Sequence, residues 1–219
     1  TNNFATLNSL GFRNNFGIYH TIERSNLRHK GTSGASDVGN MYSTMAFNKG
    51  KWYAEVKVID VEGAGYPNFG VISESDVHGG SGATGQTGYQ TSDTVAYRPN
   101  GTKIIASSAT SYGDSFTDND IIGVAIDCDN GAVYFSKAGT FQNSGDPTSG
   151  SSKTNAAMTF TAGEYYFFSS TVYLTTSILD WNFGNPDWSV SSSNSDANGY
   201  GNFEYAVPSG YYALCTKNL

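Results

Sequence analysis

Residues 118–139, DNDIIGVAIDCDNGAVYFSKAG, constrain the fold more than any other stretch of the chain. Ile122, Val124, Ile126 and Cys128 recur at every second position, the period of a strand with one face against a core. Asp129, Asn130 and Gly131 follow, three residue types that tolerate the positive φ of a tight turn. The pattern predicts a hairpin pairing residues 121–128 with residues 132–137. On its apolar face Cys128 reads as a buried, inert thiol. A chain organised around such a hairpin is built from sheets.

Carboxylates flank the turn, so two chemical readings compete with the structural one. A calcium loop needs Asp-x-Asp-x-Asp-Gly followed by a bidentate Glu. In DCDNG (residues 127–131) the glycine arrives one place early, and the next six residues hold no carboxylate. Glycan-cleaving β-sandwiches instead hold two carboxylates roughly 5–9 Å apart across the substrate. The nearest candidate, EVKVIDVE (residues 55–62), carries Lys57 where such an enzyme would place a middle Asp. Glu55 and Asp60 fall on opposite faces of an unbulged strand, while Asp60 and Glu62 share a face only at a strand end. His20, His29 and His78 accompany no Ser or Cys in a nucleophile motif. GGSGATGQTG (residues 79–88) lacks the Lys-Ser/Thr ending of a phosphate cradle. The chain therefore reads as a non-enzyme, with no catalytic residue, no metal ligand and no cofactor.

Further strand signals fall at residues 17–22, 41–47, 51–61, 68–74, 94–98, 103–107, 165–171 and 178–183, with a final aromatic run at 211–215. In KWYAEVKVID, Trp52, Ala54, Val56 and Val58 share one face opposite Tyr53, Glu55 and Lys57, which predicts one buried face. No segment carries a helical period. Three loops are long and rich in Gly, Ser and Asn, at residues 75–93, 141–159 and 190–202. On a rigid β scaffold such loops are binding surface or disorder. Nothing resembles an interdomain linker, so all 219 residues are read as one domain.

Charge narrows the partners. The formal charge is −7, and cations cluster only at residues 24–30, which argues against nucleic acid. No apolar run is long enough to span a bilayer, and no charged-then-apolar leader opens the chain. Cys128 and Cys215 lie far apart in sequence and present neither a metal-ligand spacing nor a disulfide framework.

Five segments in order carry a family resemblance: GKWYAEVKV (residues 50–58), FGVISES (69–75), VAYRPNGTKI (95–104), SFTDNDIIGVAIDCDNGAVYFSKAG (115–139) and LDWNFG (179–184). Together they resemble a SPRY domain, with the core at about residues 46–184. Asn119-Asp120 departs from the Gly-Asp usual in that family, and residues 141–159 form a long insert. The resemblance implies an all-β fold, a bent antiparallel β-sandwich of the concanavalin A-like jelly-roll type, serving as a non-catalytic module that grips partners with loops at one edge. FATLNSL (residues 4–10) and NGYGNFEYAVPSGYYALCTKNL (198–219) are similar to flanks of SPRY-bearing bacteriophage proteins, particularly marine ones.

That resemblance implies a tail fibre, spike or capsid fibre on the virion surface, contacting other virion proteins, as a homotrimer or other homo-oligomer. Its partner would be a host-surface glycan or protein. A structural or decoration protein is the alternative, and a glycan-cleaving enzyme a weaker one. The candidate ligand-binding residues are Tyr66, Asn68, Gln86, Tyr89, Gln90, Asp93 and Tyr112, with Trp188 and Tyr200 further along. Aromatic rings stack on sugar faces, and the amides and carboxylate read hydroxyls. The loop at 75–93 and the turn at 107–114 are expected to converge and to form the contact surface.

Overall fold

The computed structural model describes residues 1–10, 19–32, 38–63, 65–78 and 86–219. Within them the strands are β1 (His20–Glu23), β2 (Arg28–Gly31), β3 (Val38–Tyr42), β4 (Lys51–Asp60), β5 (Asn68–Ser73), β6 (Val95–Tyr97), β7 (Thr102–Ile105) and β8 (Ser108–Ser111). They continue with β9 (Ile121–Asp127), β10 (Ala132–Lys137), β11 (Thr140–Phe141), β12 (Met158–Thr159), β13 (Tyr166–Tyr173), β14 (Ile178–Asn182) and β15 (Tyr212–Ala213). One sheet runs β1-β2-β14-β4-β9-β10-β11, with β12 added to β10 and β15 laid parallel to β4. The other runs β3-β13-β5-β6-β7-β8. Apart from β15, neighbours are antiparallel, so the fold is a two-sheet β-sandwich.

The hairpin forms as its alternation requires, with Ala132 opposite Asp127 and Lys137 opposite Ile122. Its turn differs in one respect from the expectation. Only Gly131 takes a positive φ, +75°, while Asp129 and Asn130 do not. A Cβ at Gly131 would lie 2.0 Å from the Phe160 carbonyl oxygen, so glycine is required there twice over. Asp127 completes the turn by accepting from the Asn130 backbone and side-chain nitrogens at 2.9 and 2.8 Å.

Between the sheets lies an aromatic core. Trp181 stacks on Phe183 at 5.2 Å, Phe168 packs against both, and Phe69, Tyr97 and Phe135 extend the cluster. Trp52, Ala54, Val56 and Val58 face this core, as the alternation of β4 predicts. The opposite face of β4 is a correction. Tyr53 and Glu55 are fully buried as well, because the C-terminal segment lies over them. Phe203, Tyr211 and Ala213 pack on Tyr53, Ala125, Ala132 and Tyr134 to make a second core. Glu55 clamps that segment: its carboxylate accepts from the Tyr205 and Glu204 backbone N–H groups at 2.8 and 3.0 Å and from Asn182 at 3.1 Å. Burial raises its pKa, and these donors oppose that rise.

Other departures are local. A short helix, α1 (Glu74–His78), replaces the end of the predicted 68–74 strand and the start of the 75–93 loop, with Glu74 and Asp76 in its first turn. Strands β2 and β8 lie outside the sequence-predicted set, being polar and short. Of the signal at residues 17–22, only the part from Tyr19 onward lies within the described residues. The signal at 41–47 is shifted: β3 ends at Tyr42, and Ser43 and Phe47 make single bridges. The insert at 141–159 is not a bare loop, since it carries two 3-10 turns and ends in β12. Cys128 and Cys215 are free and buried, and burial holds the Cys128 thiol protonated. Among the described residues, no helix is long and apolar enough to cross a membrane.

Candidate functional site

Alternation along β5 and β13 decides what the six-stranded sheet presents outward. Phe69, Val71 and Phe168 turn into the core. Asn68, Ser169, Thr171 and Tyr173 occupy the intervening positions and turn out, with Asn68 directly across from Thr171. Residues 86–89 lie over this outer face. The Thr87 N–H donates to Thr171 Oγ1 at 3.1 Å, and the Thr87 and Ser169 hydroxyls are 2.7 Å apart. Gly88 permits the close approach: a Cβ there would lie 2.6 Å from the Ile104 carbonyl oxygen, at φ +84°.

Three tyrosines and a glutamine meet at this edge. The Tyr66 ring lies 5.1 Å from Tyr173, tilted by 30°. The Tyr66 hydroxyl is 3.3 Å from the Tyr89 hydroxyl and 3.4 Å from Gln86 Oε1. The two segments expected to converge do touch, since the Ser107 hydroxyl donates to the Tyr89 carbonyl at 2.7 Å and the Ser107 N–H to the Gly88 carbonyl at 3.1 Å. Tyr66, Gln86, Tyr89 and Tyr173 are all partly exposed. Burial raises the Tyr66 pKa, the Tyr89 hydroxyl adds to the rise, and the Arg98 guanidinium opposes it.

Two polar groups here lack partners. Asn68 is 0% exposed, yet neither Nδ2 nor Oδ1 has a hydrogen-bond partner. Arg98 Nε is also buried without one, and none of the four ion pairs among the described residues involves Arg98. Its guanidinium rests on Gly65, where an added Cβ would lie 2.7 Å from Nη2. Single atoms of Ser136, Ser177, Trp188 and Asn202 are also buried without partners, but Asn68 is the one described residue with both side-chain polar atoms open, a cost of about 1–3 kcal/mol for each group.

The remaining expected residues lie elsewhere. Asp93 is felt electrostatically by Asp76 and Tyr166, beside the acidic edge formed by Glu74 and Glu164. Gln90 is half-buried and already engaged. Tyr112 is a correction: it is 6% exposed and packed in the core, 5.7 Å from Tyr97 and 6.1 Å from Phe135, so its ring offers no free face. Lys103 caps it from 5.5 Å. Tyr200 is covered by Lys217 at 5.4 Å in the C-terminal segment, and Trp188 is half-buried. Sequence reasoning missed Tyr173 and Arg98. Tyr173 was within reach, because it continues the outward period of Ser169 and Thr171. Arg98 sits in a turn that reads only as structure.

Among the described residues, the polar clusters at the hairpin turn and between the sheets are spent on the fold. Lys51 pairs with Asp127 at 2.9 Å, and Asp129 accepts from the Gly50 N–H at 2.7 Å. A cleft of 360 Å³ beside this turn is lined by Phe47, Trp52, Tyr165 and Leu219, but its Trp52 indole N–H is bonded to the Lys49 carbonyl. His20 and His29 form a buried row, with His20 Nδ1 at 2.7 Å from His29 Nε2 and His29 Nδ1 at 2.9 Å from the Ser170 hydroxyl. Trp181 donates to the same hydroxyl at 3.1 Å. This Ser–His–His line ties the two sheets together. Ser170 is buried and its hydroxyl is already engaged by His29 and Trp181, so it serves the fold.

The SPRY domain family model matches residues 51–168, from β4 into β13. Among solved structures, the SPRY domain of human HERC1 superposes with a TM-score of 0.53 at 17% identity, over 74% of this chain and 91% of that one. A human SPRY domain gives 0.53 at 14% identity, over 74% of this chain and 94% of the other. Comparison with curated proteins gives no match. The sandwich, the hairpin and the matched span lead to one conclusion: the chain belongs to the SPRY domain family.

Proposed function

We propose that the chain is a non-catalytic binding module that contacts its partner through the outer face of the six-stranded sheet, around Tyr66, Gln86, Tyr89 and Tyr173. The observation that carries this reading is the convergence of those partly exposed rings and one amide, held by segments remote in sequence. SPRY domains are interaction modules, which fits a binding role. The partner is a glycan on a host-cell surface, since flat rings flanked by amide and hydroxyl groups suit sugar faces and their hydroxyls. The virion setting rests on the resemblance of residues 4–10 and 198–219 to bacteriophage flanks.

The test is binding of the isolated domain to host envelopes and to a glycan array, alongside the double variant Tyr66→Ala, Tyr89→Ala. That variant should lose at least about tenfold in affinity, or about 1.4 kcal/mol, with little change in melting. Unchanged binding would sink the surface assignment. Binding only to envelope protein would replace the glycan with a protein partner. Labelling the chain on intact particles checks the virion setting.

A further inference from the structure

The surface just described holds one cation in an acidic protein, and that cation is not compensated. The chain carries −7 overall. Arg24, Arg28, Lys51 and Lys137 each pair with a carboxylate within 3.2 Å. Arg98 does not. Glu62, which bridges to Tyr66 across the same turn, is not its partner. The guanidinium instead lies on the bare backbone of Gly65, close enough for its charge to act on Tyr66. Its Nε, half of the fork that binds a carboxylate side-on, is desolvated and unused.

Asn68 adds an independent observation. It follows Tyr66 by two residues and lies across from Thr171, the outward neighbour of Tyr173 on β13. It therefore sits at the foot of the Tyr66–Tyr173 pair, with both amide atoms unpaired. The contacts above it are weak ones: 3.3 Å and 3.4 Å are long for bonds between hydroxyl and amide oxygens. A polar ligand group entering there gives up little and supplies what Asn68 lacks.

We infer that the ligand is an acidic saccharide, a sugar bearing a ring carboxylate of the uronate or sialate kind, whose carboxylate is taken by Arg98 and whose neighbouring hydroxyl or amide is taken by Asn68. The tyrosine rings supply the stacking faces. A planar carboxylate matches the Nε–Nη fork, and a sugar ring places a hydrogen-bonding group beside it. An acidic peptide offers the charge without the ring face. This inference rests on the glycan reading above and goes further by fixing the charge of the sugar.

The experiment pairs acidic oligosaccharides with neutral counterparts: oligogalacturonate against its methyl ester, and sialyllactose against lactose. Oligoglutamate serves as a peptide arm. At least one acid should bind tenfold or more tighter than its neutral partner, and which pair does so separates uronate from sialate. Arg98→Gln should erase that difference, and Arg98→Lys should restore only part of it. Should either variant fold poorly, the Nε–Hε NMR signal of wild-type Arg98 gives a second reading, and it should move on adding the acid and stay on adding the ester. Equal binding of acid and neutral sugar overturns this inference and leaves the glycan reading standing. Binding of oligoglutamate alone overturns both in favour of a peptide. A silent array with an unmoved Nε signal also overturns both.

Discussion

At the hairpin turn both oxygens of Asp127 have donors, from Asn130 and from Lys51, and Asp129 takes the Gly50 N–H. On the outer face of the other sheet, Asn68 and Arg98 Nε are just as buried and have none. The sequence drew attention to the first region, because carboxylates around a glycine look like chemistry. In the second it singled out Asn68 with Tyr66, Gln86 and Tyr89 as candidate contacts, but an arginine in a turn looks ordinary. Partnering separates the two better than residue type does. A polar group whose bonds are complete within the chain serves the fold, and one left open at a surface edge is available to something else.

The comparison can be broken first at the tyrosines. Tyr112→Ala should cost about 3–5 kcal/mol, the range for truncating a large buried ring, whereas Tyr89→Ala should cost little. Chemical denaturation of the two variants measures this. Equal and small losses would return Tyr112 to the surface.

A second test addresses the Ser–His–His line between the sheets. Burial lowers the His20 pKa to about 4, and that of His29 well below its ordinary value, with the neighbouring His20 adding to the shift. Above about pH 6.5 both rings are neutral folded or unfolded, so stability is unaffected. Between about pH 6.5 and pH 4 the unfolded chain takes up protons that the folded one refuses, so stability falls as pH falls. His20 alone contributes a loss on the order of 3 kcal/mol across that window. Glu55 acts in the opposite sense, because its raised pKa favours the folded state on acidification. Imidazole NMR signals unchanged down to pH 5, together with a falling denaturation midpoint, are expected. Titration of either folded ring near pH 6.5 would refute the buried link.

The hairpin turn comes next. Gly131→Val forces a β-branched side chain to φ +75° with its Cβ 2.0 Å from the Phe160 carbonyl, and should cost about 2 kcal/mol or more. Chelators should leave the melting temperature unchanged, since the turn's carboxylate is already occupied by Lys51 and Asn130. A large drop on chelation would make the turn a metal loop after all.

The smallest effect sharpens the contrast most. Asn68→Leu, close in volume, should leave stability unchanged or raise it by up to about 1 kcal/mol, because an unpaired buried amide is itself a cost. A loss of about 2 kcal/mol would mean that the amide is bonded in solution.

Local patterning fixed several features on its own. The hairpin and the inward face of β4 each follow from alternation over a few residues and from glycine at a forced φ, and these interactions are short in sequence. The family resemblance was legible for the same reason, since its motifs are those strands. Tertiary structure alone decided which second faces were covered. Tyr53 and Glu55 read as a solvent face until Phe203, Glu204 and Tyr205, far along the chain, close over them. It also decided which aromatics were surface and which were core: Tyr112 and Tyr89 look alike in sequence, and only the packing of Tyr97 and Phe135 around one of them tells them apart. Whether a polar atom finds a partner depends on residues far away in the chain, so the unpaired state of Asn68 and Arg98 becomes visible only once the sheets are assembled.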